Sequence, residues 1–420
     1  MAGTLARKAS TAAPAGSRAL EGVAPSWGAR LRGVEGLRAL AATSVLIHHT
    51  VTHADVRSGL GNFGKWAVPN LASGLTLFFT LSGFLLYRPF ASAVMHSRPM
   101  PSTRAYLRNR ALRILPAYWL IVLLVAAVKP IHSPRVVIQN MLLAQNYSPS
   151  TVGTGIAPAW SLDVELVFYL ALPLLGLWAL SLARDRDWRG RTLAVLVPAG
   201  ALMALGIAGK ALAAATLGSG GQAELAGNSW HAVLERSFLA QADLFAFGMA
   251  AAVVVIAADA GRVQGPDRLG AACGWAAVLL GSVAGVLYAF AGLNERPYNT
   301  ITAIASGLIV LWLLLPQRKR SSPAVGILNS RVAIRVGVIS YSVYLWHDPI
   351  IRWLNNHGHL EAGVSGVAVN VAVVAAITAI ASTVTYMFVE APAMRRKVSM
   401  VPVRIDPDTA PETAAMEAAP

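Results

Sequence analysis

Charge and cysteine are the two things this sequence has little of. Only 13% of its 420 residues are charged, against 55% that are hydrophobic, and so few ionic side chains cannot cover a water-soluble domain of this size. An ordinary soluble fold is thereby excluded in favour of one that uses a bilayer as solvent. A single cysteine, Cys273, lies inside an apolar run, which excludes a disulfide framework and any cysteine-rich metal site. The histidines are scattered without ligand spacing, so no metal site is expected. Residues 1–32, rich in Ala, Ser, Gly and Arg, lack the continuous apolar core of a secretory leader and read as a disordered basic cytoplasmic arm. Acidic residues are also scarce, 20 against 35 Lys and Arg, a net charge of +15. Such an excess fits nucleic acid, an anionic membrane surface or an acidic substrate, and the position of the charges must decide.

What the chain does have is apolar runs near the twenty residues or so that a helix needs to cross a bilayer. They are Leu37 to Thr52, Leu71 to Phe90, Ala111 to Val128, Trp160 to Leu182, Leu193 to Leu212, Phe238 to Ala258, Leu269 to Ala291, Asn299 to Leu315, Ala333 to Leu354 and Val364 to Val389. The first is the weakest by hydropathy. Most of the Lys and Arg residues fall in alternate loops, those sharing a side with the N-terminus. Cytoplasmic loops hold the positive excess, so the expected fold is an all-α integral membrane domain over residues 33–397, with about ten transmembrane helices and both termini cytoplasmic. Topology then explains the basic excess, and no nucleic-acid partner is expected. Residues 398–420 read as a disordered cytoplasmic tail.

An ionisable side chain inside a span is costly and marks a candidate site. In the first run, Arg38 and His49 lie about three helical turns apart on one face, Glu35 falls on the same stripe within pairing reach of Arg38, and His48 points about 100° away. A neutral His at that depth can act as general base toward a hydroxyl; the plainer alternative makes Arg38 a helix-end anchor and His49 a buried hydrogen-bonding group. Arg110 and Arg113 share a helical face, and two guanidiniums together suit a diphosphate such as that of coenzyme A, or else simply belong to the positive-inside cluster. Ser161, Glu165 and Tyr169 recur every four residues, and Ser340, Tyr344 and His347 form a second polar stripe with Tyr341 and Trp346 beside it. Either stripe is also what an interfacial aromatic belt looks like. Asp243 in the sixth run is a further candidate, with an outer-interface residue as the plainer and favoured alternative, and Glu390 reads as a local ion pair with Arg395, Arg396 or Lys397.

Taken in order, these elements resemble the bacterial acyltransferase-three family of membrane O-acyltransferases, over roughly Arg32 to Lys397. Val34-Glu35-Gly36-Leu37-Arg38 followed by His49 is similar to that family's Leu-Asp-Gly-Leu-Arg signature and its following His, with Glu35 where Asp is usual. Phe78-Phe79-Thr80-Leu81-Ser82-Gly83-Phe84 resembles its Phe-Phe-x-Leu-Ser-Gly-Phe element, whose small pair permits close backbone approach. Arg110 to Arg113 resembles its Arg-x-x-Arg element. Trp160 to Tyr169 resembles its Trp-Ser-Leu-x-x-Glu-x-x-Phe-Tyr segment, with Asp163 where an uncharged residue is usual. Ile339 to His347 and Glu390-Ala391-Pro392 complete the series.

The resemblance implies a multi-pass enzyme of the bacterial inner membrane that moves an acyl group, acetyl above all, from acyl-coenzyme A to a hydroxyl of a sugar-containing acceptor: surface polysaccharide, glycolipid or glycosylated secondary metabolite. It implies no bound cofactor, the acyl-coenzyme A being a substrate. His49, Arg38 and Glu35 are the expected catalytic residues, Arg110 and Arg113 the donor-binding pair, and Ser82, Trp160, Glu165, Tyr169, Tyr344 and His347 the lining of the substrate pocket. The competing expectation is a transporter or flippase for a lipid-linked or sugar substrate, whose buried charges line a pathway; inverted repeats and paired broken helices, which would favour it, are not found.

Overall fold

The computed structural model describes residues 31, 33–53, 60–128, 133–216, 228–315, 322–361 and 363–400. The expected basic arm up to residue 30 and the tail from residue 401 lie outside them. Among the described residues there is helix and no strand, including ten helices of twenty residues or more. They are α1 (Val34–His53), α2 (Ser73–Met95), α3 (Thr103–Val128), α4 (Trp160–Ala183), α5 (Trp188–Ala215), α6 (Phe238–Asp259), α7 (Pro266–Phe290), α8 (Glu295–Leu314), α9 (Arg331–Asn356) and α10 (Gly366–Thr385). Each coincides with one of the apolar runs read from the sequence. Eight are long and apolar enough to cross a bilayer; α1 and α9 fall short because they carry the ionisable residues, among them Arg38, His49, His347 and Asp348. α1 and α9 pack on each other, with α2 against α1, α10 against both, and α6 against the far side of α2. Large apolar side chains such as Trp275, Leu279, Ile380 and Phe388 instead face outward, as lipid-facing positions of a multi-pass membrane protein do.

Lipid tails are as apolar as leucine, so helices in a bilayer are held together by close packing and interhelical hydrogen bonds rather than by a drive to leave water. Both are present at the centre. Gly83 of α2 lies against the carbonyl of Phe245, and Gly248 of α6 against that of Thr80, so close that a methyl group at either glycine would overlap the carbonyl oxygen. The close approach expected of Ser82-Gly83 is realised here. Thr80 donates to the Leu244 carbonyl at 3.1 Å and Tyr87 to that of Val195 at 2.7 Å, tying α2 to α6 and α5. Gly337 gives α9 the same intimacy with the backbone of Glu35 in α1. This register brings residues some 300 apart in sequence into contact.

α10 runs into a π-helical turn, Tyr386–Glu390. Such turns re-aim side chains within a helix, and this one carries Glu390 into the bundle at 1% exposure. Val398 to Met400, which the sequence reading assigned to the tail, depart from that expectation. They lie along α3, with Val398 clipped to Asn109 and Met400 buried.

Candidate active site

One end of the bundle gathers histidines. His49 Nδ1 lies 2.8 Å from His347 Nε2, and the two rings stack. His347 Nδ1 faces the Val343 carbonyl at 3.3 Å, and a carbonyl only accepts. The network therefore assigns the His347 proton to Nδ1 and leaves its Nε2 as an acceptor. His49 must then donate from Nδ1, and its own Nε2, without a hydrogen-bond partner among the described residues, holds a free lone pair. Beside this pair lies a cavity of about 410 Å³, lined by His48, His49, Phe79, Trp160, Glu235 and Tyr344 among others. It sits where the last turn of α1 meets the first turns of α2, α4 and α8. Apolar walls with a few converging polar groups are what a small-molecule site looks like.

Deeper in the bundle, Ser82 donates to Glu165 Oε1 at 2.5 Å and Tyr169 to Oε2 at 2.7 Å. A buried carboxylate satisfied by two hydroxyls is held without a cation in contact. Ser161 and Tyr344 lie 2.7 Å apart, and the Tyr344 hydroxyl is also 2.6 Å from the Pro158 carbonyl, which fastens α9 to the entry of α4. Trp160 stands at that entry with its ring edge-on to Phe79.

The other end gathers guanidiniums. Arg38 donates to the Ser340 hydroxyl from Nε and Nη2 at 3.2 and 3.1 Å, and lies 3.8 Å from Glu35. Arg113 pairs with Glu390 at 3.0 Å, lies over the Tyr341 ring, and shares Glu390 with the Ser342 hydroxyl. Arg110, one turn away, has a buried Nε with no hydrogen-bond partner.

The site residues read from the sequence thus separate into three groups rather than one. Arg38 pairs with Glu35 as expected but does not reach His49, because three helical turns separate them along α1 by about 16 Å; the group facing His49 is His347. Glu390 finds Arg113 rather than Arg395, Arg396 or Lys397, since the π turn aims it inward. Asp243, read as an interface residue, is fully buried against Lys210 and Thr300. Asp163 receives the Asn146 backbone N–H at 3.2 Å and so pins the turn Gln145–Tyr147. His48 was read as facing away, yet it lines the cavity too, with Nδ1 held 2.8 Å from the Val68 carbonyl. Sequence reasoning missed Glu235, Arg236, Gln241, Glu295 and Asn299 on the cavity wall. They sit at helix ends, where polar residues carry no periodic signal.

A bundle of membrane-type helices with a histidine pair beside a cavity and a cationic cluster at the opposite end has the make-up of a membrane enzyme. The chain belongs to the acyltransferase-three family: that family's acyltransferase domain matches residues 31–388, and the protein is an acyltransferase. It is similar to the exopolysaccharide production protein ExoZ of Rhizobium meliloti (strain 1021), 27% identical over 334 residues, which cover 77% of this chain and 90% of that protein. It is also similar to the acyltransferase MdmB of Streptomyces mycarofaciens, 29% identical over 160 residues, 34% of this chain and 39% of that one. No solved structure matches the chain.

Proposed function

We propose that this acyltransferase moves an acyl group, acetyl above all, from acyl-coenzyme A to a hydroxyl of a sugar-containing acceptor at the bacterial inner membrane. The observation that carries the reading is the His49–His347 pair beside the cavity, with His49 on its wall, which leaves His49 Nε2 as an uncommitted base. His49 takes the proton of the acceptor hydroxyl, the oxygen attacks the thioester carbonyl, the carbon–sulfur bond breaks, and the departing thiolate takes the proton back from the imidazolium. Arg110, with Arg113 beside it, meets the donor's phosphates at the basic end, and the extended pantetheine arm bridges the bundle toward His49. Glu165, held by Ser82 and Tyr169, and Arg38, held by Glu35 and Ser340, line the way between. The basic end faces the cytoplasm, as the distribution of Lys and Arg supports, so a reporter fused after Lys397 is active only inside the cell.

An exopolysaccharide relative favours a polysaccharide acceptor among the three sugar classes. The test is labelled acetyl-coenzyme A supplied to membranes containing the protein, with and without an added polysaccharide fraction. Acceptor-dependent release of free coenzyme A together with label on the polysaccharide is the expected result. Label transported but not consumed would replace the reading with a transporter.

A further inference from the structure

The segment that follows the last helix is tied to α3 beside its two arginines. Asn109, 2% exposed, holds Val398 at two points: its amide nitrogen donates to the Val398 carbonyl at 2.8 Å, and its amide oxygen accepts the Val398 N–H at 3.0 Å. About two turns earlier the Ser102 N–H donates to the Met400 carbonyl at 2.8 Å, and Met400 packs into the core cluster that includes Tyr106 and Phe90. Arg108 reaches the Arg396 carbonyl at 3.4 Å. A strap fastened before and after a residue fixes where that residue sits, and the residue between Arg396 and Val398 is Lys397.

Lys397 is set among cations. Burial, and then repulsion from Arg110, Arg113 and Arg38, pushes its pKa down to about 7, with Glu390 alone pulling the other way. Two of these cations already have carboxylate partners: Arg113 has Glu390, and Arg38 has Glu35. Among the described residues, neither Arg110 nor Lys397 has a carboxylate within ion-pair distance, and Arg110 Nε is a buried donor without an acceptor. Like charges driven together with unused donors are unfavourable in the empty protein and favourable once a polyanion sits between them.

We infer that Lys397, delivered by the strap, and Arg110 together form a phosphate-binding site, with Arg113 committed to Glu390 instead. The ligand chemistry is a phosphate ester or diphosphate. This rests on the reading of acyl-coenzyme A as donor for its source, whereas an anionic lipid headgroup at the bilayer surface carries the same chemistry. Lys397 lies beyond residue 388, where the family match ends, whereas Arg110 lies within the match.

The test measures binding of coenzyme A to the purified protein in detergent and of phosphatidylglycerol in mixed vesicles, for wild type, Lys397→Met, Lys397→Arg and Arg110→Ala. Lys397→Met is expected to weaken coenzyme A about tenfold, the usual effect of losing one charged hydrogen bond, with Lys397→Arg near wild type. Asn109→Ala, which releases the strap and leaves every cation in the chain, is expected to weaken it similarly. From pH 6 to 8 the wild type should lose about tenfold more affinity than Lys397→Arg, because the ammonium is charged only below about 7 and the anion favours its charged form. Equal coenzyme A affinity in wild type and Lys397→Met, with Arg110→Ala impaired, overturns the inference and leaves the donor reading intact. Absence of coenzyme A binding with phosphatidylglycerol binding that depends on Lys397 keeps the phosphate site and overturns the donor reading. Binding of neither ligand overturns both.

Discussion

The two ends of the bundle treat ionisable groups in opposite ways. At the histidine end, His49 and His347 satisfy each other without an acid in contact, so that the pair is complete as neutral rings and has one lone pair to spare. At the basic end, guanidiniums are matched to carboxylates and hydroxyls, with cationic donors left over. A base has to be neutral to take a proton, and an anion site has to be charged to hold one. On the proposed mechanism this difference separates proton transfer from substrate anchoring along one helix, α1, whose first turns carry Glu35 and Arg38 and whose last turns carry His49.

The largest effect expected from this division is at His49. His49→Ala should lower the transfer rate by about 10² to 10⁴, the usual consequence of losing a general base. His48→Ala should leave much of it, since His48 is engaged with the Val68 carbonyl even though it touches the cavity. Rates are compared at matched amounts of protein in the membrane. A dead His48→Ala beside an active His49→Ala would reverse the assignment of the base and the register of α1 together.

His347 sharpens the comparison because, on the proposed mechanism, it acts through His49 rather than on the acceptor. His347→Ala should reduce kcat by about 10², within the range of acid–base contributions, while both Michaelis constants stay near wild type. His347→Asn, whose amide oxygen can still accept the His49 Nδ1–H, should recover part of that loss. An Asn variant no better than Ala, or an Ala variant with full kcat, would reduce the pair to packing.

How far this site was legible in the sequence follows from what a helix can and cannot report about itself. Apolar runs located all ten helices, because span length is a local property. Periodicity put Glu35 beside Arg38 and Glu165 beside Tyr169, because residues three or four apart share a face. Periodicity says nothing about which face of another helix arrives opposite. His49 with His347, Arg113 with Glu390 and Arg38 with Ser340 are therefore contacts that only the packing of α1, α3, α9 and α10 reveals. Family resemblance supplied His347 as a pocket residue without its partner. The inward turn of Glu390 had no signal at all, since a π bulge leaves no mark on the hydrophobic pattern.

At the basic end the expected effects are about tenfold, and they differ in kind. Arg110→Ala should raise the Michaelis constant for acyl-coenzyme A about tenfold and leave the acceptor constant alone. Arg113→Ala strands Glu390 at 1% exposure, and removing one partner of a buried pair costs about 3–5 kcal/mol. The Arg113 variant should therefore accumulate poorly in the membrane, and Arg113→Ala combined with Glu390→Gln should recover in amount. Normal accumulation of Arg113→Ala with a raised donor constant would make Arg113 a phosphate ligand instead. A raised acceptor constant in the Arg110 variant would assign the basic end to the wrong substrate.

The smallest effect separates a wall from a reagent. Tyr344 lines the cavity with its ring near His347, and a phenol on that wall is chemically able to protonate a departing thiolate. Its hydrogen bonds point elsewhere. It donates to the Pro158 carbonyl at 2.6 Å and lies 2.7 Å from Ser161, so its proton is already engaged in fastening α9 to the entry of α4. Removing that hydroxyl deletes one buried hydrogen bond and leaves the Pro158 carbonyl with the Ser161 hydroxyl, 3.3 Å away, as an alternative donor. The expected loss is about 1 kcal/mol of stability, and Tyr344→Phe should keep its rate within a few-fold of wild type while its thermal transition in detergent falls slightly. Loss of rate by about 10² in Tyr344→Phe, with the transition unmoved, would make the tyrosine part of the chemistry and extend the proton path beyond the two histidines.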